Sequence, residues 1–432
     1  MLKRVFGLLL SDYSEEELSR CASLAYKGKF DTDDLTPLTK IGDEYLLELY
    51  HGPTQAFKDM ALCMLPLLMG EAAKDTGKKI MIVTATSGDT GKAALSGFRN
   101  APGVYITVFF PQGGVSDIQY LQMVTEEGSN CFAAGVTGNF DDCQNGVKKI
   151  FETSPELSLS SANSINVGRL VPQVVYYFEA YRKLLVSNEI SLGDKVDFTV
   201  PTGNFGDVLA GYYAKMLGLP VGRLIVASND NNVLYDFIKT GVYDRKRQFF
   251  KTISPSMDIL ISSNLERFLY YASGCDCGYV KSLMEELKET GSFTVNEKVF
   301  KAVSGTFDAG YSDVPACSAA IKEAWYSDGR LIDPHTAVAL KVSRELKGKN
   351  KMVILSTASP YKFAKDVYRS IFGDNEALES GFSYMKALNE KTGERIPEAL
   401  SSLENKPVKH KSVCDPSEMK AYVLKCMEKC GM

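Results

Sequence analysis

The sequence predicts an α/β protein with two open, twisted, parallel-sheet domains whose sheets carry helices on both faces. Three observations support this fold class. Short runs rich in β-branched and aromatic residues alternate with helical stretches, several of these runs are apolar throughout, and 432 residues suffice for two cores. Continuous apolar strands that alternate with helices are typical of parallel sheets covered on both faces.

The first series of elements lies in the N-terminal half. Strands are expected at 79–86, 104–111 and 130–136, where KIMIVTAT, VYITVFFP and NCFAAGV occur. The helices that follow them read KAALSGFRN, SDIQYLQMVTEEG and DDCQNGVKKIFE. A further helix over 56–75 precedes this series. Strand and helix therefore alternate, as a parallel sheet requires.

The second series begins with a long amphipathic helix at 169–186. It continues with a strand at 195–200, the loop PTGNFG, the helix DVLAGYYAKMLG and strands at 223–229 and 351–358. The tail at 398–418 is polar and expected to be rich in loops, before a last helix that ends at Cys430. We therefore expect three parts: an N-terminal helical segment (1–78) that packs on the large domain, a smaller α/β domain (79–165) and a larger one (166–432).

Composition and charge exclude several classes of protein. The net charge is −4 and the isoelectric point is about 5.7, so neither a nucleic-acid nor an anionic-membrane partner is expected. Apolar runs such as ALCMLPLLMG fall short of the ~20 residues of a membrane span. MLKRVFGLLL is followed at once by SDYSEEELSR with no cleavage site, which favours an amphipathic first helix over a signal peptide.

Cysteine and histidine usage argues against a metal centre. The ten cysteines are scattered, and the only close pairs are CDC (275–277) and CMEKC (426–430). With three histidines in the chain, neither pair has a set of zinc ligands at the usual spacing. We expect no metal and a reducing, cytoplasmic location.

Three loops after predicted strands have a composition suited to anions. They are TSGDTG (86–91), PTGNFGD (201–207) and STAS (356–359). Glycines allow a close approach of the backbone, and a helix start offers N–H groups to a phosphate. One such loop alone would be an ordinary strand–helix turn, but three in one chain favour a phosphate-bearing ligand.

Nucleotide motifs do not explain these loops. Two residues separate Gly88 from Gly91, where a P-loop has four, and Ala93 stands where a P-loop has Ser or Thr. GNFG is not the dinucleotide fingerprint either.

A lysine in an unusual setting points to a different cofactor. Lys58 in HGPTQAFKDM follows Ala56 and Phe57 and begins an apolar helix. The helix end and the apolar neighbours would favour a neutral, nucleophilic amine. Pyridoxal phosphate needs such a lysine and a glycine-rich phosphate loop. A lysine that merely extends from a helix end into solvent is the alternative.

Long segments of the chain closely resemble threonine synthases, which are pyridoxal-phosphate enzymes of the type II, tryptophan-synthase-β-like fold. They occur in the order HGPTQAFKD, TSGDTGKAA, SINVGRLVPQVVYYFEAY, PTGNFGDVLAGYYAK, PSMDILISSNLERFLY, DPHTAVA and LSTASPYKF. The resemblance runs from about Leu35 to Phe363. It implies an active site in the cleft between the two domains.

The resemblance also implies roles for individual residues. Lys58 would be the catalytic, Schiff-base lysine, and Thr357 would hydrogen-bond the pyridine nitrogen. The phosphate-binding turn would consist of Gly203, Asn204, Phe205, Gly206 and Asp207, with Asp207 orienting the loop. The residues expected to bind substrate are Thr86, Ser87, Asp89, Thr90 and Arg169.

The implied reaction converts O-phospho-L-homoserine and water to L-threonine and phosphate, the last step of threonine biosynthesis. Lys58 would move the protons, and Arg169, Lys92 and Lys362 are candidates for binding the departing phosphate. His51 either lines the pocket or is a turn residue without a catalytic role. The enzyme is expected to act as a monomer or homodimer.

Two alternatives stay open. A phospho-lyase of the same fold would release 2-oxobutyrate instead of adding water. The other is a truncated homologue that binds the cofactor or a partner without turnover, because the chain lacks the YSTRG-like and DGGLYVP-like segments with which the family normally begins.

Overall fold

The computed structural model describes residues 2–74, 77–374 and 377–432. The strands of these residues are β1 (Leu38–Ile41), β2 (Glu44–Glu48), β3 (Ile80–Ala85), β4 (Val104–Pro111), β5 (Cys131–Val136), β6 (Leu159–Ser160), β7 (Val196–Pro201), β8 (Val221–Ser228), β9 (Val242–Asp244), β10 (Ser292–Thr294), β11 (Phe307–Tyr311), β12 (Lys351–Ser356) and β13 (Ser412–Cys414).

The α-helices of the same residues alternate with these strands through most of the chain. They are α1 (Leu2–Leu9), α2 (Glu15–Tyr26), α3 (Lys58–Leu62), α4 (Leu65–Lys74), α5 (Asp89–Phe98), α6 (Asp117–Val124), α7 (Phe140–Glu152), α8 (Val167–Val186), α9 (Gly206–Met216), α10 (Val233–Thr240), α11 (Leu265–Ser273), α12 (Cys277–Thr290), α13 (Glu297–Thr306), α14 (Val314–Asp328), α15 (Pro334–Glu345), α16 (Ala364–Phe372), α17 (Gly381–Thr392), α18 (Glu398–Ser401) and α19 (Met419–Lys429). Short 3-10 helices lie at Pro255–Met257, Pro360–Phe363, Ser402–Asn405 and Pro416–Glu418.

The chain divides into two compact units, and each of them is discontinuous in sequence. The first unit comprises Thr36–Leu49 and Gln173–Asp374. The second comprises Leu2–Leu35, Tyr50–Pro172 and 377–432. This division differs from the three consecutive ranges expected from the sequence, because strands distant in the chain pair with one another.

The first unit contains a six-stranded sheet in the order β1-β2-β12-β7-β8-β11. The pairs among β2, β12, β7, β8 and β11 are parallel, whereas β1 and β2 form an antiparallel hairpin at one edge. Every residue of β7 is buried, as expected for a parallel strand covered on both faces. A separate antiparallel pair joins β9 to β10.

The second unit contains a parallel five-stranded sheet in the order β13-β5-β4-β3-β6. Alternate residues of β3 enter two different cores, since Ile82 packs on one face and Met81 and Val83 on the other. Strand β13 lies in the tail that was expected to be loop-rich, and it pairs with β5 in this unit. The predicted α/β class with parallel sheets and helices is therefore confirmed in both units.

The helix expected over 56–75 is instead two helices, and this prediction was wrong. Helix α3 has five residues, and Cys63 and Met64 separate it from α4. Pro66 is the second residue of α4, where its missing N–H is tolerated, whereas in the interior of a longer helix it would break the hydrogen-bond ladder. Lys58 therefore stands at the start of a very short helix.

The N-terminal segment forms helices α1 and α2 in the second unit. Val5 and Phe6 of α1 are buried, in line with an amphipathic helix. Ser14 and Glu17 form a capping box that begins α2. Among the described helices, none is long and apolar enough to cross a membrane.

Candidate active site

Lys58 follows a turn in the second unit whose shape depends on Asp59. The Asp59 carboxylate accepts hydrogen bonds from the N–H of Thr54 (2.8 Å) and from its hydroxyl (2.6 Å). A Cβ atom at Gly52 would lie 2.5 Å from the Cβ of Asp59, so only glycine fits there. The amide of Gln122 in α6 also donates to the carbonyl of Thr54 (3.4 Å). These contacts hold the turn against the start of α3.

Gln55 gives the same turn an uncommon backbone conformation. Its φ is +60°, in the left-handed region that non-glycine residues rarely adopt, although its side chain is buried. The amide of Gln55 donates to Asp31 (3.0 Å) and to the carbonyl of Gly52 (3.1 Å). Strain of this kind is tolerated where the surroundings fix the backbone, and it occurs often near functional sites.

His51, which the sequence left open, is bound to Asp31. Its Nδ1 lies 2.8 Å from Oδ1 of that carboxylate. Burial raises the pKa of Asp31, but the hydrogen bonds from His51 and Gln55 outweigh it and leave the pKa below its ordinary value. This contact gives His51 a place in the network that supports the turn.

The side-chain amine of Lys58 is buried beside a carboxylate. Lys58 is 8% exposed, and its Nζ lies 3.6 Å from Oδ2 of Asp89, the first residue of α5. The ring centroid of Phe57 lies 4.7 Å from the same nitrogen. We expected an amine kept neutral by apolar neighbours and a helix end. The structure retains the apolar neighbour Phe57 and adds the carboxylate of Asp89 beside the amine, and the helix that Lys58 begins has five residues.

The loop at 86–91 is folded around the hydroxyl of Thr86. That oxygen accepts hydrogen bonds from the N–H groups of Gly88 and Gly91, both at 2.9 Å. Thr86 and Asp89 are buried, whereas Ser87 is exposed and Thr90 is half-buried. Of the substrate-binding residues expected in this loop, the structure therefore brings Asp89 to Lys58 and gives Thr86 a role in shaping the loop.

Sequence reasoning missed Gln119, which lies beneath this loop. Its Nε2 donates to Oδ1 of Asp89 (3.1 Å). Gly88 has φ +142°, and a Cβ atom there would overlap the Gln119 amide. The available signal was the pattern Ser116-x-x-Gln119, a capping box that places a glutamine in the first turn of α6.

The three cations considered for the departing phosphate have different surroundings. Lys92 forms an ion pair with buried Glu126 at 2.5 Å. Burial raises the pKa of Glu126, but Lys92, with help from Arg99, brings it below its ordinary value. Lys92 is therefore committed to a structural ion pair.

Arg169 and Lys362 are both buried. Arg169, in the second unit, donates to the carbonyl of Ala162 (2.7 Å). Lys362, in the first unit, lies in the 3-10 helix Pro360–Phe363. Burial makes either cation suited to binding an anion away from bulk water.

In the first unit, the turn before α9 directs its carbonyls into the protein. The hydroxyl of Ser262 donates to the carbonyl of Gly203 (2.9 Å), and Asn264 donates to that of Asn204 through its N–H (3.1 Å) and its amide (3.0 Å). Within the described chain, the N–H groups of Gly203, Asn204 and Phe205 donate to no backbone carbonyl. Donors at the start of an 11-residue helix suit a phosphate.

Close packing disfavours a side chain at the first position of this turn. A Cβ atom at Gly203 would lie 3.0 Å from the carbonyl oxygen of Ser256 and 3.2 Å from Cα of Met257. Phe205 has φ +62°, and its buried ring packs edge-on against Phe307, with centroids 5.2 Å apart. The anchored ring fixes the strained backbone immediately before Gly206.

Asp207 is held by two tyrosines of α8. The hydroxyls of Tyr176 (2.5 Å) and Tyr177 (3.1 Å) both donate to its Oδ1, and Tyr177 also contacts its carbonyl (2.9 Å). This is consistent with the expectation that Asp207 orients the loop. The two tyrosines were not identified from the sequence as parts of the site.

Thr357 lies at the same sheet edge as this turn. It follows β12, which runs parallel to and beside β7, and β7 leads into the turn. Ser356 and Thr336 exchange a hydrogen bond at 3.1 Å, which connects the end of β12 to the start of α15. The structure therefore brings Thr357 and residues 203–207 to the carboxyl ends of neighbouring strands, where α/β proteins bind ligands.

Each unit has features that fit pyridoxal phosphate: the second has a buried lysine, and the first has N–H donors at a helix start and a hydroxyl at a strand end. The sequence pattern that describes the pyridoxal-phosphate-dependent enzymes matches residues 34–358. The chain is thus a member of that class of enzymes. The pattern of the threonine synthase C-terminal region matches residues 336–423.

Comparison with known proteins identifies the family within this class of enzymes. Threonine synthase of Pseudomonas aeruginosa is 41% identical over 358 residues, covering 81% of this chain and 75% of that protein. The crystal structure of pyridoxal-phosphate-bound threonine synthase from Brucella melitensis has a TM-score of 0.87 at 39% identity, covering 98% of this chain and 88% of the other. The chain belongs to the threonine synthase family.

A second group of relatives has a different name and a greater length. Human threonine synthase-like 1 is 39% identical over 378 residues, covering 84% of this chain and 51% of the human protein. The chain therefore spans about half the length of these relatives.

Proposed function

We propose that this protein is a threonine synthase that converts O-phospho-L-homoserine and water to L-threonine and phosphate. The observation that carries the proposal is Lys58, a buried amine at the end of the segment HGPTQAFKD in a chain that belongs to this family. Threonine formation would be the last step of threonine biosynthesis.

The cofactor's contacts are part of the proposal. Lys58 would carry pyridoxal phosphate, the N–H groups of the turn 203–207 would bind its phosphate, and Thr357 would contact the pyridine nitrogen. When bound, the cofactor supplies an electron sink that stabilises negative charge at the substrate carbons.

The residues of the chain supply proton transfer and binding. The amine of Lys58 removes the proton from Cα of the substrate, releases it, and then removes one from Cβ. The phosphate leaves from Cγ, which takes up a proton to become the methyl group, and water adds its hydroxyl at Cβ while Cα is protonated again. Asp89 accommodates the charge that Lys58 gains with each proton, because its carboxylate lies 3.6 Å away.

Binding of the substrate is assigned to one loop and one cation of the second unit. Thr86, Ser87, Asp89 and Thr90 form the loop proposed for the substrate, and Arg169 is the cation proposed for its phosphate. Because Lys92 is paired with Glu126, it is no longer a candidate for that role.

Three more features complete the proposal. The enzyme acts on a small molecule, as a monomer or homodimer, in the cytoplasm. The cytoplasmic location is supported by ten cysteines that are all free thiols in the structure, each within the described ranges.

The test is an assay of the purified chain with O-phospho-L-homoserine. We expect phosphate and L-threonine in equal amounts, whereas 2-oxobutyrate in place of threonine would identify the phospho-lyase. Release of neither product would indicate a binding protein without turnover. Lys58→Ala should abolish both the activity and the visible absorbance of the lysine-bound cofactor, and retention of that absorbance would refute the role of Lys58.

A further inference from the structure

We propose that Gln119 is a positioning residue for Lys58: its amide orients the Asp89 carboxylate so that one oxygen lies beside the lysine amine. This inference rests on the proposed role of Lys58 as the lysine that carries the cofactor. It assigns a role in the site to α6, an element that contributes neither the lysine nor the substrate loop.

The carboxylate of Asp89 contacts two neighbouring side chains. Oδ1 of Asp89 accepts from Nε2 of Gln119 at 3.1 Å, and Oδ2 lies 3.6 Å from Nζ of Lys58. The two oxygens are fixed to each other by the carboxylate plane. If the hydrogen bond to Oδ1 were lost, the carboxylate could rotate and Oδ2 would leave its place beside the amine.

The orientation of the Gln119 amide is itself determined. Its oxygen accepts from the N–H of Ser116 (3.3 Å), an acceptor role that only the oxygen can fill. The nitrogen must therefore be the atom that faces Asp89. Gln119 is 5% exposed. Its amide packs on Gly88, where no side chain separates it from the loop.

The charged groups around Lys58 make this arrangement matter for cofactor binding. Asp89 faces it from α5, and Asp59 lies on its own helix but is bound to Thr54. Only the neutral amine bonds to an aldehyde, so any added negative charge near Lys58 opposes that bond by favouring the ammonium. Gln119 orients Asp89 without adding charge, which a carboxylate at the same position could not do.

Gln119→Glu separates the positioning role from a structural one. Glutamate preserves the capping box with Ser116, so the start of α6 should remain intact. It removes the N–H donor to Asp89 and places a second carboxylate beside it. In the full-length protein we expect the apparent dissociation constant for pyridoxal phosphate to rise about tenfold at pH 7. The difference should narrow as the pH rises, because the added charge opposes cofactor binding only through the protonated amine.

Ser116→Ala is the matched control, because it removes the hydroxyl that caps α6 and leaves the Gln119 amide in place. It should lower Tm by about 2 °C and leave cofactor affinity within about twofold of the wild type. Equal affinities of Gln119→Glu and wild type at every pH would overturn the proposal, as would an equal loss in Ser116→Ala.

Gln119→Met keeps the test decisive if the glutamate variant does not fold. Methionine fills the same volume without a donor or a charge, so Asp89 can rotate and the amine of Lys58 loses the contact that positions it. We therefore expect about threefold weaker cofactor binding, and unchanged binding would again refute the proposal. Threonine formation is measured on the same preparations. Its absence, together with the expected order of affinities, would contradict the proposed reaction and leave the role of Gln119 standing.

Discussion

Gly97 of α5 packs directly against the backbone of Leu62 in α3: a Cβ atom at Gly97 would overlap the Leu62 carbonyl group. Lys58 begins α3 and Asp89 begins α5. The close approach of these two helices therefore helps to hold the residues that carry the amine and the carboxylate near each other.

Gly97→Ala is expected to destabilise the protein by about 2 kcal/mol, because the carbonyl it meets belongs to the backbone and can move only with α3. Cofactor affinity should fall in parallel, because Lys58 is displaced together with the start of α3. Gly305→Ala in α13 is the control, since nothing lies within 4 Å of its Cβ position. It should stabilise the protein by roughly 0.5 kcal/mol. Denaturant unfolding measures both, and equal stability of the two variants would contradict the close packing.

This packing illustrates what the sequence can and cannot predict. The apolar strands 104–111 and 351–358 were predicted nearly to the residue, because burial on both faces leaves a continuous local pattern. The division into units was not predicted, since it depends on which strands pair. Nothing local in β13 indicates that it joins β5.

The residues of the candidate site were likewise predicted where the signal is local in the sequence and missed where it is not. Lys58 and the turn 203–207 were identified because glycines and an isolated lysine stand out in the sequence, and because long segments resemble a family. Gln119 and Tyr176 were missed because glutamine and tyrosine are common in helices. Their roles arise from contacts with Asp89 and Asp207, which only the fold determines.

Lys92→Met should destabilise the protein by about 3 kcal/mol, because it leaves the Glu126 carboxylate buried without its nearest cation. Arg99 lies 3.3 Å from the other oxygen and is half-exposed, so it compensates only in part. Lys409→Met breaks the exposed ion pair with neighbouring Glu127 and should leave stability unchanged. Unfolding in urea distinguishes the two, and an equal, small effect of both would show that Glu126 does not need Lys92.

The stability of the second unit should fall in two stages as the pH of the solution is lowered. Burial lowers the pKa of His410, whose Nε2 lies 3.1 Å from the carbonyl of Glu126. Below the ordinary histidine pKa of about 6.5, the unfolded chain therefore binds more protons than the native protein. Stability is lost as the pH falls from that value toward the lowered pKa of His410. The lowered pKa of Glu126 produces a second loss of stability below about pH 4.5, because there too the unfolded chain binds more protons than the native protein.

Thermal unfolding between pH 8 and about pH 3 measures this dependence. His410→Gln should remove the first stage and retain the second, because the amide does not titrate. An unchanged slope between pH 7 and pH 5 in that variant would show that another group causes the first loss.

Tyr176→Phe tests the support of the proposed phosphate turn. The variant removes one of two hydroxyls that donate to Oδ1 of Asp207, so a buried carboxylate loses a donor and the protein should lose about 2 kcal/mol of stability. The hydroxyls also reduce the negative field of Asp207 at the start of α9. Without one of them the carboxylate repels a bound phosphate more strongly, and affinity for pyridoxal phosphate should fall about fivefold.

Tyr181→Phe is the control for this effect, because it lies in the same helix and its hydroxyl accepts from the N–H of Gly193 (2.9 Å). It should cost about 1 kcal/mol and leave cofactor affinity unchanged. Absorbance titration with pyridoxal phosphate and urea unfolding of both variants give the comparison. If the two variants lose stability and affinity alike, Asp207 does not act on the cofactor through its charge. Tyr176 and Tyr177 would then serve only to pack α8 against α9.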